Sequence, residues 1–192
     1  MTQAGDRSAA VERARTLVAQ RPVFLDTETT GLDAAAEVVE ICIVDLEGTV
    51  LLESLVRPTR EIPPDATAIH GITDGMVRGA PTWSELWPDV QGLVSEHHVA
   101  IYNADFDVQM MRQSHRAHGL RWQLGGERLW CVMRLYAAFA GQWNERRGEY
   151  RWHKLEVAAA RCGLAVGTAH RARPDALLAL AVLQYMAEQR DD

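Results

Sequence analysis

Cysteine is scarce in this chain of 192 residues, with three in all. Cys42, Cys131 and Cys162 are far apart and each lies among apolar neighbours, which predicts reduced core thiols and argues against a disulfide framework or a thiolate zinc site. Aromatic residues make up only 7% of the chain. Lysine is nearly missing, because Lys154 stands alone among 20 basic residues. No apolar run approaches the roughly 18 residues of a membrane span, and the opening MTQAGDRSAAVERAR lacks the hydrophobic stretch of a secretory signal. The expectation is a cytoplasmic protein with no membrane partner. Internal repeats, low-complexity tracts and an obvious linker are absent too, which excludes disorder, collagen and a long coiled coil.

What is there fits one soluble globular domain over residues 1–192, with 1–21 as an N-terminal helical extension. Hydrophobic residues reach 47% and charged ones 24%. At this length folding buries roughly 70% of the surface of the unfolded chain, so a core is available without staples. The net charge of −6 argues on its face against a polyanionic partner. The halves differ, however: residues 1–100 carry 7 basic and 16 acidic groups (−9), and residues 101–192 carry 13 and 10 (+3). Arginine suits planar contacts to phosphate, although an arginine and alanine bias can equally reflect genomic base composition.

Apolar spacing predicts a helix from about Ser8 to Gln20, a buried strand from Val23 ending near Asp26, and a hairpin of Val38–Leu46 and Thr49–Val56 turning at Glu47 and Gly48. Pro58, Pro63 and Pro64 are expected to break regular structure. Trp83, Leu86, Trp87, Val90, Leu93 and Val94 mark an amphipathic helix, and a strand at Val99–Tyr102 leads into a helix from Ala104 to about His118. A weaker strand is read at Leu129–Val132. Two helices close the chain, from about Lys154 to Arg161 and from Pro174. Strands alternating with helices after an antiparallel hairpin imply an α/β fold: a mixed sheet with helices on both faces.

Three segments carry candidate chemistry. In Asp26-Thr27-Glu28-Thr29-Thr30-Gly31, residues i and i+2 of a strand point to one face, so Asp26 and Glu28 converge. Like carboxylates in contact ask for a neutralising cation, and all-oxygen donors suit Mg²⁺ or Mn²⁺; the bland reading is an acidic strand end in solvent. In Asn103-Ala104-Asp105-Phe106-Asp107, a strand runs straight into a helix at the sheet end where ligands bind. Asp105 and Asp107 both compete as a further carboxylate, or simply oppose the helix dipole, and Asn103 is expected to fix the turn. In Ala169-His170-Arg171-Ala172-Arg173-Pro174-Asp175-Ala176, Asp175 either caps a helix or supplies a fourth carboxylate, and His170 can take a proton from water near neutral pH.

Together DTETTG (26–31), AIHGIT (68–73), NADFD (103–107) and HRARPDA (170–176) resemble the motifs of the DEDDh, or DnaQ-like, 3′-5′ exonucleases, in matching order and spacing from about Val23 to Ala187. This family includes the epsilon proofreading subunit of DNA polymerase III and ribonuclease T. The resemblance implies a ribonuclease H-like fold and phosphodiester hydrolysis with two divalent cations, Mg²⁺ or Mn²⁺. By position it implies metal ligands at Asp26, Glu28, Asp107 and Asp175, resolving the Asp105 ambiguity, and a general base at His170. It also implies a pocket for the terminal nucleotide around Thr27, Thr29, Leu32 and His70, with Leu32 and Ile69 alternatively ordinary packing.

Trp143, Tyr150 and Trp152, interleaved with Arg146, Arg147, Arg151 and Lys154, either bind a strand or pin a surface loop. His115 and His118 are expected on a solvated helix face rather than as zinc ligands. The expected partner is a single-stranded nucleic-acid 3′ end, DNA favoured over RNA, with an RNA-trimming enzyme as the alternative and an inactive binding module as a third reading. The 17 residues after Asp175 offer no tail for docking on a polymerase, so a stand-alone nuclease is expected.

Overall fold

The computed structural model describes residues 3–123, 128–167 and 170–190, with side chains from residue 6 onward. Along the chain run α1 (Gln3–Ala19), β1 (Val23–Thr29), β2 (Val38–Val44), β3 (Val50–Leu55), α2 (Pro64–His70), α3 (Asp74–Val77), α4 (Trp83–Glu96), β4 (Val99–Ile101), α5 (Ala104–Ala117), β5 (Leu129–Cys131) and α6 (Val132–Ala140). A small hairpin of β6 (Trp143–Asn144) and β7 (Glu149–Tyr150) follows, then α7 (Leu155–Arg161) and α8 (Ala172–Glu188).

The main sheet has the order β3-β2-β1-β4-β5. β1, β2 and β3 pair antiparallel, whereas β4 pairs parallel with β1 and with β5, so the sheet is mixed as expected. Alternation along β1 decides what each face buries. Leu25, with Ile41 and Ile43 of β2, packs against Trp83 and Val90 of α4 and Met111 of α5. Phe24, with Cys42 and Val44, packs against Leu17 of α1, Tyr136 of α6 and Leu183 of α8. Each such side chain contributes ~2 kcal/mol of burial, so the two layers together fix the central strand.

Cys42 and Cys162 are buried, Cys131 is half-buried, and all three are free thiols. Among the described residues no helix is long and apolar enough to cross a membrane.

Several elements differ from the sequence reading. β1 continues past Asp26 to Thr29 because its ladder with β2 persists until a bulge between Glu28 and Thr29. The proline segment contains α2 and α3 rather than only breaks: Pro63 is the N-cap and Pro64 the first helical residue, where a missing N–H costs nothing. Val132 begins α6 instead of ending β5, and α6 itself had no counterpart in the sequence reading. α8 starts at Ala172, two residues ahead of Pro174.

His115 is 1% exposed rather than solvated, enclosed by Trp83, Trp87 and Trp122, with the Trp83 indole N–H donating to its Nδ1 at 2.9 Å. The amphipathic pattern placed Arg112 and Arg116 in water, and three tryptophans cover the histidine between them. His118 is only slightly exposed and lies 3.8 Å from a Glu37 carboxylate oxygen.

Candidate active site

The site forms where β1 ends. Asp26 and Glu28 project, like Phe24 before them, toward the α8 side of the sheet. Asp175, in the first turn of α8, meets them there: ligand oxygens of Asp26, Glu28 and Asp175 all lie within 4.8 Å of one another. The two-residue strand spacing thus brings the carboxylates to one point, as predicted.

Asp107 arrives from the opposite face, in the first turn of α5, and is 4% exposed. It is outside the set of three. Thr27, the β1 residue pointing toward α5, holds it: the Thr27 hydroxyl donates to Asp107 Oδ1 at 2.8 Å and the Thr27 N–H donates to the same oxygen at 3.1 Å. Asp105 is exposed and pairs with Arg134, so of the two aspartates of NADFD one is turned inward and one outward. Asn103 is exposed without a side-chain cap; its carbonyl accepts the Phe106 N–H at 2.9 Å, so the turn is held by backbone.

Electrostatics mark this cluster as lacking a countercharge. Burial, then Asp107, Asp175, Glu28 and Glu40, push the Asp26 carboxyl well above the usual range. Burial and the neighbouring carboxylates raise Glu28 to about 8. Asp107 is raised to about 7 by burial, against the opposing hydrogen bonds from Thr27. Asp175 is raised to about 6 by burial, opposed by His170. Packed carboxyls that resist ionisation are stabilised by a cation, and an all-oxygen donor set fits Mg²⁺ or Mn²⁺.

An arginine that acts on Glu28 is already engaged. Arg171 grips Glu40, which sits opposite Glu28 in the β1–β2 register and is 2% exposed. Arg171 Nε donates to Glu40 Oε2 at 2.9 Å, Nη2 donates to Oε1, and the Ala172 N–H at the start of α8 donates to Oε2 at 2.9 Å. Neither Glu40 nor the Arg171 contact was among the predicted site residues. A signal was present, because a lone glutamate inside VVEICIV must be paired if that strand is buried.

His170 stands outside the cluster. Its Nδ1 is 3.8 Å from Asp175 Oδ2 and its Nε2 is 3.9 Å from Glu156 Oε1, both beyond hydrogen-bond reach, and about half of its side chain is exposed. Its placement leaves the ring free to turn. Ala169, which opens this segment, lies outside the described residues.

The residues expected around a terminal nucleotide behave in two ways. Leu32 is 82% and Ile69 61% exposed, so neither is ordinary packing. His70 is buried with both nitrogens occupied: Nδ1 accepts the Ile72 N–H at 3.0 Å and Nε2 lies 3.2 Å from the Thr29 carbonyl oxygen. Those two bonds fit a neutral ring with the proton on Nε2, in keeping with a pKa lowered by burial. His70 therefore ties α2 to the end of β1 and shapes the ledge beside it. Thr29 is held by its own loop, its hydroxyl donating to Gly31 O at 2.8 Å; Gly31 has φ +149, which only glycine adopts readily.

In the aromatic segment, Trp143 and Trp152 remain about half exposed, while the Tyr150 hydroxyl donates to Asp6 of α1 and its ring packs edge-on against Trp143. Tyr150 thus pins the hairpin, and the two tryptophans stay available.

Comparison with known proteins agrees with this geometry. A family model described as exonuclease, RNase_T, matches residues 23–183. An uncharacterized exonuclease, CP81, of Escherichia phage 186 is 43% identical over 182 residues, covering 92% of this chain and 93% of that protein. The DNA polymerase III subunit epsilon of Treponema pallidum is 32% identical over 165 residues, covering 84% of this chain and 74% of its own. Among solved structures, the nuclease domain of 3′hExo, a DEDDh family member bound to rAMP, superposes with a TM-score of 0.68 at 15% identity, covering 89% of this chain and 95% of that one. The sheet is accordingly of the ribonuclease H-like type, and the chain belongs to the exonuclease family as a nuclease of the DEDDh, DnaQ-like kind.

Proposed function

We propose that this protein is a metal-dependent 3′-5′ exonuclease that removes nucleotides from the 3′ ends of single-stranded DNA, acting through one domain over residues 1–192. The observation that carries the proposal is the convergence of Asp26, Glu28 and Asp175 within 4.8 Å, with Asp107 held against the same strand by Thr27, in a chain of the exonuclease family. In this reading Asp26, Glu28, Asp107 and Asp175 hold two divalent cations, Mg²⁺ or Mn²⁺. Bound there, such ions supply charge neutralisation at the scissile phosphate and ease formation of hydroxide from water.

The protein's own groups do the rest. His170, free to rotate beside Asp175, takes the proton of the attacking water and later releases it to solvent. Leu32 and Ile69 offer exposed apolar surface for the terminal base, and the backbone from Thr27 to Thr29, braced by His70, lines the ledge for the last sugar.

DNA is favoured because a relative covering most of the chain is named as a DNA polymerase subunit. RNA 3′-end trimming is the second reading, supported by the likeness to a DEDDh domain bound to rAMP. An inactive binding module is disfavoured by the intact acidic set and His170.

The test presents 3′-labelled, 5′-labelled and circular single strands of DNA and RNA with Mg²⁺, Mn²⁺ or EDTA. The expected result is a metal-dependent ladder shortening from the 3′ end of linear DNA, with circles untouched. Cleavage of circles, or shortening from the 5′ end, overturns the proposal; faster loss of RNA reassigns the substrate.

A further inference from the structure

Away from the carboxylates, a groove of about 1180 Å³ runs between α1, α5 and the β5 edge of the sheet. One wall is a row on α5. Asp105, Gln109, Arg112 and Arg116 recur at helical spacing, are all exposed, and all line the groove. The row spans about 16 Å at 1.5 Å per residue. It starts in the first turn of α5, the turn that also carries Asp107, with Asp105 on the outer face and Asp107 on the inner one, so the row begins at the same end of the helix as the candidate active site.

Charge along this wall runs against the chain's net −6. Among the described residues, the two acidic side chains that line the groove are engaged: Asp105 pairs with Arg134, and Asp6 accepts the Tyr150 hydroxyl. Arg13 of α1 lines the same groove as Arg112 and Arg116, and none of these three has a carboxylate partner among the described residues. The Arg112 guanidinium lies 5.3 Å over the Trp122 ring, a stacked arrangement that also suits a base. Three arginines without a carboxylate partner among the described residues, one of them stacked on an aromatic ring, suit a flexible polyanion better than a protein surface.

We infer that this groove holds the sugar–phosphate backbone of the single strand upstream of the 3′ end being cut, with Arg13, Arg112 and Arg116 as phosphate contacts. The inference rests on the exonuclease reading above. At ~3.4 Å per stacked nucleotide, 16 Å accommodates about five nucleotides. The Asp105–Arg134 pair neutralises the acidic residue at the entrance, so a phosphate passing from the active site meets no bare carboxylate there. Beside it, Arg134 lies 6.0 Å from the exposed Trp152 ring, which extends the same path with a stacking surface.

The test uses the full chain and a variant with Arg13→Gln, Arg112→Gln and Arg116→Gln, after circular dichroism shows both folded. Fluorescence anisotropy with a long 5′-labelled oligonucleotide, Ca²⁺ replacing Mg²⁺, is repeated across a salt series. The expected result is a Kd raised roughly tenfold or more, with the slope of log K against log salt reduced by about 2, at ~0.7 per phosphate contact. In parallel, KM for a long strand in Mg²⁺ rises, and kcat/KM for a dinucleotide stays at the wild-type value. An unchanged salt slope overturns the inference while leaving the exonuclease reading intact, as does an equal loss on dinucleotide and long strand. A fall in molecular mass by light scattering with unaltered strand binding also overturns it, assigning the groove to a second copy of the chain. A wild-type protein that neither binds nor degrades any strand removes the exonuclease reading itself, and this inference with it.

Discussion

Arg171 and Glu40 meet as a fork: Nε and Nη2 of the guanidinium donate to the two carboxylate oxygens of a side chain that is only 3% exposed. The same carboxylate accepts the first N–H of α8. This pair joins β2 to the helix carrying Asp175 and to the residue after His170. It fastens the start of α8, three residues ahead of Asp175, to the strand that pairs with Asp26 and Glu28, although Arg171 is not one of the acidic trio.

Arg171→Ala should therefore act on turnover and stability together. Leaving Glu40 buried without its partner costs about 3 kcal/mol, read as a lowered melting temperature. With Asp175 and His170 no longer held, kcat is expected to fall roughly tenfold while KM changes little, and Arg171→Lys should restore part of the rate. Equal kcat in Ala and wild type would show that the fork serves the fold alone.

Asp26→Asn and Asp107→Asn separate chemistry from folding. Both should abolish Mg²⁺-dependent cleavage, yet in EDTA near pH 8 the Asp26→Asn protein should melt above wild type, because an amide cannot ionise and so escapes the cost that burial and neighbouring carboxylates place on the Asp26 carboxylate. Retained activity in either variant would contradict the metal-site assignment.

His170→Ala is expected to lower the rate by ~10²-fold without changing the melting temperature, since the ring is half exposed and makes no hydrogen bond. A variant with the wild-type rate at pH 7 would move the base elsewhere.

Stability in EDTA should fall as pH rises. Glu28 is raised to about 8, Asp107 to about 7 and Asp175 to about 6, against ~4 in an unfolded chain. Between about pH 4 and pH 8 these carboxyls thus hold more protons in the folded protein than in the unfolded one, so raising the pH through them favours unfolding. The buried His70, His115 and His153, whose pKa values are lowered by burial, act the other way below about pH 6.5, so the fall is clearest from pH 6.5 to 8. Mg²⁺ or Mn²⁺ should offset this, adding more to the melting temperature at pH 8 than at pH 5. Thermal unfolding across that range, with and without metal, provides the check; a flat profile in EDTA would contradict the crowding.

Much of the site was legible because strand geometry is simple. Two acids two residues apart at the end of an apolar strand must share a face, and Asp26 and Glu28 do. The αβ junction at Asn103 and the last helix were equally plain, as was the turn at Glu47 and Gly48, where Gly48 has φ +80.

Long-range pairing was less legible. Glu40 acquires its role from the β1–β2 register and from Arg171, 131 positions away. Thr27 pointed to a substrate pocket by its motif, but its side chain and N–H are spent on Asp107. α6 follows β5 with no intervening turn and no side-chain cap at Cys131, so the usual punctuation for a helix start is missing. His115 was misjudged because its burial comes from tryptophans on α4 and after α5, which helical spacing on α5 alone does not reveal.

The account turns on four carboxylates gathering divalent ions at the end of β1. Titration of Mn²⁺ into the full chain, followed by electron paramagnetic resonance to count bound ions, tests it most directly. The expected result is uptake of about two ions per chain, at most one in Asp26→Asn, with tighter uptake at pH 8 than at pH 5. Equal Mn²⁺ uptake by wild type and Asp26→Asn, or none by either, would contradict it.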